Sequence, residues 1–102
     1  PYYMNQHLVI PYSLDCNDFR FTTTPGFNTA EDFFHHLKNT LTYLYQEKQP
    51  AIMSIGLHPR ISGRPGRCHA IKQFLACLAQ FPDIWITRRI DIAQYWRSHF
   101  PP

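Results

Sequence analysis

Apolar positions along the chain alternate between short continuous runs and a spacing of 3–4 residues. Residues 7–12 (His-Leu-Val-Ile-Pro-Tyr) are a short apolar run that predicts a strand centred on 8–10. Residues 13–28 are polar and contain Pro25-Gly26, which predicts a long loop. Residues 29–48 predict a helix. Asn28 or Thr29 can cap it, with Glu31 or Asp32 three residues on, as in a capping box. Phe33, Phe34, Leu37, Leu41, Leu44 and Tyr45 then recur on one helical face, and Pro50 lies just past the end. Residues 51–57 (Ala-Ile-Met-Ser-Ile-Gly-Leu) carry no charge and suit a strand buried on both faces, centred on 52–57. Residues 58–66 hold Pro59, Gly63, Pro65 and Gly66 and predict a loop. Residues 67–80 predict a second helix, with Ile71, Phe74, Leu75 and Leu78 on one stripe. Residues 84–87 predict a third short strand. Residues 90–99 predict a last helix, turning Ile90 or Ile92, Ala93 and Trp96 inward.

The order is β-loop-α-β-loop-α-β-α, an α/β pattern of parallel strands. Three βα units are too few to close a barrel of about eight strands. A lone three-stranded piece also leaves raw sheet edges. The expectation is that residues 1–102 are the C-terminal fragment of a single larger domain. The chain opens on Pro-Tyr-Tyr with neither an initiator Met nor a signal pattern, which agrees with that expectation. Uncovered edges make a homo-oligomer the expected state.

Composition narrows the class. The chain is 44% hydrophobic and 16% aromatic, enough apolar matter for a core. The net charge of +3 is small and local. Arg60, Arg64 and Arg67 fall close together, and Arg88 adjoins Arg89. Such clusters suit one small anion or paired carboxylates, and a nucleic-acid partner is not expected. Cys16, Cys68 and Cys77 are odd in number and scattered, which points to a reducing, cytoplasmic compartment and to buried thiols. No apolar run approaches the roughly 20 residues of a membrane span, so no membrane partner is expected.

Parallel α/β folds bind ligands at the C-terminal ends of their strands. The first predicted strand leads into Asp15-Cys16-Asn17-Asp18, and the second ends in His58. A carboxylate beside an imidazole fixes its tautomer, and the pair can then protonate a leaving amine. Each residue also has a plainer role open to it. His58 can be a loop hydrogen-bond partner, Asp15 and Asp18 Asx-turn residues, and the three arginines a solvated loop. His35 and His36 adjoin on a helix and so point apart. No HxxxH, HExxH or paired-Cys spacing occurs, so neither a metal site nor a cofactor is predicted for this chain.

A resemblance sharpens this. Tyr12-Ser-Leu-Asp-Cys-Asn-Asp-Phe19 resembles the Trp-Ser-Val-Asp-x-x-Asp-Trp segment of the polysaccharide deacetylases, and Ile55-Gly-Leu-His58 is similar to their late strand ending in a histidine. Gly56-Leu-His-Pro-Arg-Ile-Ser-Gly-Arg-Pro-Gly-Arg67 and Arg88-Arg-Ile-Asp-Ile-Ala-Gln-Tyr-Trp96 resemble the branch that includes the allantoinases of purine catabolism. Tyr12 and Phe19 stand where many deacetylases carry Trp, which favours that branch.

The resemblance implies three βα units of a distorted (β/α) barrel that hydrolyses a C–N amide bond. The substrate would be a small molecule, allantoin or a related ureide, with an N-acetyl sugar as the alternative. His58 would be the general acid, oriented by Asp18 and less directly by Asp15. Arg60, Arg64 and Arg67 would hold the substrate. The family's base and metal ligands belong to the first half of the domain, which leaves metal use by the full protein open and predicts an inactive fragment. A reading from another class is a small anion- or nucleic-acid-binding module built on the arginines.

Overall fold

In a computed structural model of residues 1–102, the elements run β1 (Tyr2–Met4), β2 (His7–Val9), a 3₁₀ turn (Asp18–Phe21), α1 (Ala30–Gln46), α2 (Pro59–Ser62), α3 (Pro65–Leu78) and α4 (Arg89–His99). The chain divides into two compact units, Ser13–Pro82 and a second made of Pro1–Tyr12 with Asp83–Pro102.

The Ser13–Pro82 unit is built on α1 packed against α3. The predicted cap forms. The Thr29 hydroxyl accepts from the Asp32 N–H at 3.1 Å, and the Asp32 carboxylate accepts from the Thr29 N–H at 2.9 Å. Phe33, Leu37 and Leu41, spaced by four, are the positions α1 buries, while Tyr45 at the end of the predicted stripe is exposed. From α3 the buried residues are Ala70 and Phe74, and Leu75 of the predicted stripe is exposed. Phe21, Phe27 and Phe33 stack mutually at 5.1–5.6 Å between ring centroids and fill the end of this core. Helix α3 starts at Pro65, ahead of the predicted 67, because proline already holds the helical φ and has no N–H to lose at a first position. Pro59 opens the four-residue α2 in the same way, inside the segment predicted as loop.

The second unit holds a hairpin. β1 pairs antiparallel with β2, matching Tyr2 with Val9 and Met4 with His7. Asn5 and Gln6 both take positive φ, 47° and 68°, the pairing that a two-residue primed turn requires. Leu8 is buried. The Tyr3 hydroxyl donates to the Phe100 carbonyl at 2.8 Å, and the Arg89 guanidinium donates to the Ile10 carbonyl. Helix α4 buries none of its residues, so the predicted inward Ile90, Ala93 and Trp96 stay at least partly exposed.

The predicted strands need correction. The first runs over His7–Val9, and its partner is Tyr2–Met4 rather than a parallel neighbour. Residues 52–57 and 84–86 form no ladder; one isolated parallel bridge joins Asn17 and Gly56. An apolar run becomes a strand only when a second backbone lies along it to take its N–H and C=O groups, and here only residues 16–18 do so for part of 52–57.

Candidate functional site

The Asn17–Gly56 bridge assembles the site. The Asp18 N–H donates to the Gly56 carbonyl at 3.0 Å, and the Gly56 N–H donates to the Cys16 carbonyl at 2.9 Å. Glycine is needed there, since a Cβ at position 56 would run into the Asn17 amide. Asn17 in turn caps the 3₁₀ turn, its side-chain oxygen accepting from the Phe19 N–H at 2.8 Å. Two residues beyond Gly56 comes His58, extended at φ −118°, ψ 126°, as the proline after it favours.

Asp18 is completely buried. One carboxylate oxygen accepts from the His58 backbone N–H at 2.7 Å and the Ser62 N–H at 3.2 Å; the other meets His58 Nδ1 at 2.6 Å. Burial pushes the Asp18 carboxyl up, but the His58 backbone N–H, the His58 ring and Ser62 all favour the carboxylate and together leave it below the usual range. A carboxylate has no proton to give, so Nδ1 is the protonated nitrogen of the ring. Nε2 is then the atom available for exchange, on a ring that is 51% exposed.

His58 lines an open cleft of about 620 Å³ together with Leu14, Asp15, Asn17, Phe19, Arg20 and Thr23. The Phe19 ring lies 6.3 Å from the His58 ring. Asp15 reaches the cleft but not the His58 ring: its carboxylate pairs with His36 Nε2 at 3.2 Å. Arg60 and Arg64 are exposed, and the Arg67 guanidinium lies 4.8 Å over the Phe21 ring, so none of the three is among the residues lining the cleft. The guanidinium that does line it is Arg20, held 4.7 Å over the Phe27 ring.

Arg20 and Ser62 are absent from the sequence reading. Ser62 had only an indirect signal: a proline after His58 can start a helical turn, and that turn brings Ser62 back beside His58, where its N–H donates to the His58 carbonyl at 3.0 Å. Arg20 had none beyond lying two residues from Asp18.

The arrangement is a buried acceptor, a fixed tautomer and an exposed Nε2 beside an open cleft. It is suited to passing a proton to or from a bound molecule.

No protein-family model matches the chain. A Schizosaccharomyces pombe protein whose name assigns it to the polysaccharide deacetylases is 34% identical over 97 residues, 92% of this chain and 30% of its own. A crystal structure of PuuE allantoinase superposes with a TM-score of 0.91 at 47% identity, over 94% of this chain and 32% of that one. A probable polysaccharide deacetylase from Pseudomonas aeruginosa gives a TM-score of 0.91 at 46% identity, over 94% and 33%. The chain thus spans about a third of the length of the proteins it matches. These similarities support a fragment of the polysaccharide-deacetylase superfamily, allantoinase-like in character.

Proposed function

We propose that this chain carries the general-acid half of a C–N hydrolase whose substrate is allantoin or a related ureide. The observation behind the reading is the Asp18–His58 pair: a buried carboxylate 2.6 Å from Nδ1 of a ring whose other nitrogen opens on a cleft. In this reading His58 Nε2 protonates the nitrogen that leaves when the amide bond breaks, and Asp18 balances the charge the ring carries beforehand. Asp15 and Arg20, an acceptor and a donor on the cleft wall, suit the N–H and C=O edges of a ureide. Arg60, Arg64 and Arg67 are not among the residues that line the cleft. The group that activates water would come from outside these residues, so the chain by itself is proposed to be inactive.

The same reading takes residues 52–57 and 84–86 as strand positions of a distorted (β/α) barrel, filled out by neighbours from the remainder of the domain. It takes the full protein as cytoplasmic and homo-oligomeric. No helix is long and apolar enough to cross a membrane.

Deacetylation of an N-acetyl sugar is the second reading. It has in its favour the names of the S. pombe and P. aeruginosa proteins. Turnover of allantoin against an N-acetylglucosamine oligomer by the full-length protein separates the two. In that protein His58→Ala should lower kcat about 10²–10⁴-fold with little change in KM. Near-normal turnover per folded molecule would remove His58 from the chemistry.

A further inference from the structure

The sequence offers no paired metal-ligand spacing, yet the fold gathers three ligand types at one place. Asp15 and Cys16 lie in the turn just before the Asn17 bridge and the 3₁₀ turn, and His36 lies on α1, twenty residues after Cys16. One ligand atom from each, a carboxylate oxygen, a thiol sulfur and an imidazole nitrogen, falls within 4.8 Å of the other two. We propose that Asp15, Cys16 and His36 form a binding site for a borderline-soft divalent cation, with Zn²⁺ as the type.

The donor set selects the cation class. Magnesium and calcium take oxygen ligands, whereas a mixed sulfur, nitrogen and oxygen set suits zinc. Zinc bonds of about 2.0–2.3 Å place tetrahedral ligand atoms roughly 3.5 Å apart, so the cluster needs only a small contraction. His36 Nε2 and Asp15 already stand at 3.2 Å. Cys16 is fixed by burial, while Asp15 is exposed and His36 partly so; those two can move the remaining distance. Thr40 lies beside the sulfur: its hydroxyl oxygen accepts from the Cys16 thiol at 3.8 Å and its hydroxyl donates to the His36 carbonyl at 2.8 Å, an outer link between the cysteine and the helix that carries the imidazole. An open cleft of about 330 Å³ lined by His36, Asn39, Thr40 and Tyr43 adjoins the cluster and leaves room for a water as fourth ligand. The plainer alternative is a buried thiol next to a surface ion pair, with no shared ligand.

Cobalt is the probe, because a thiolate bound to Co²⁺ gives a charge-transfer absorption that carboxylate and imidazole sites lack. The 102-residue chain, kept reduced, is titrated with Co²⁺. The expected band saturates at one equivalent, is displaced by Zn²⁺, and survives Cys68→Ser and Cys77→Ser. Cys16→Ser abolishes it. His36→Gln alters a partly exposed side chain, stays folded by circular dichroism, and weakens Co²⁺ binding at least tenfold. A wild-type titration without the band, a band that persists in Cys16→Ser, or one unchanged in folded His36→Gln overturns the site.

Discussion

Gly56 and Asn17 face each other across a bridge so close that no side chain fits at position 56. That contact fixes the distance between the turn carrying Asp18 and the loop carrying His58. Gly56→Ala should push the Asn17 amide away and stretch both bridge hydrogen bonds. The expected loss is about 1–3 kcal/mol of stability, as for other overpacked sites. Urea denaturation measures it, and the His58 ring resonances should shift in the same variant.

The Asp18 carboxyl gives the chain an acid-sensitive component. Its native value is lowered relative to the unfolded chain. The stabilisation is therefore present above the unfolded value, about pH 4, and is lost as pH falls through the native one. Asp18→Asn should cost about 1–3 kcal/mol at neutral pH, because buried N–H donors lose an ionised acceptor. The gap between variant and wild type should close below about pH 4. A gap that stays constant in denaturant melts from pH 7 to pH 3 would show that the carboxylate charge is not what holds these donors.

How much of this was legible beforehand differs by element. Helix α1 was readable end to end, since Thr29, Asp32 and the Phe33, Leu37, Leu41 spacing act locally and each contributes without help from the rest of the chain. The Asp18–His58 pair was readable as two strand-end groups that meet, and it meets. The hairpin was not: Asn5-Gln6 lacks the glycine that advertises a primed turn, so Tyr2–Met4 carried no turn signal after it. Residues 52–57 and 84–86 pair with no strand of this chain, because hydrophobic runs report burial while ladders depend on a partner. The Asp15–His36 contact depends on the path of the loop that joins them, which no spacing rule encodes.

Gln6 sits at φ 68° without the freedom of glycine. Left-handed backbone costs an L-residue roughly 1–2 kcal/mol. Gln6→Gly should relieve part of that and stabilise the hairpin by about 0.5–1 kcal/mol, offset by the greater entropy of glycine in the unfolded chain. A thermal melt should move upward by roughly 2–6 °C. No change would mean that the neighbours of the turn, rather than its dihedral angles, determine its stability.

Thr29 and Asp32 satisfy each other's backbone N–H groups at the start of α1. Thr29→Ala should cost about 1 kcal/mol. Because the two side chains form one box, the double variant with Asp32→Ala should cost less than the sum of the single losses. Strict additivity in the double-mutant cycle would mean that the caps act independently.

The 3₁₀ turn of four residues ends on Phe21, whose ring packs edge-on against Phe27 and Phe33, while its first residue is Asp18. The turn thus joins the aromatic core at one end to the carboxylate beside the imidazole at the other. A change in the volume of Phe27 or Phe33 would shift the Asp18 end without touching it. The Asp18–His58 contact can therefore be retuned from inside the core, at positions that do not line the cleft.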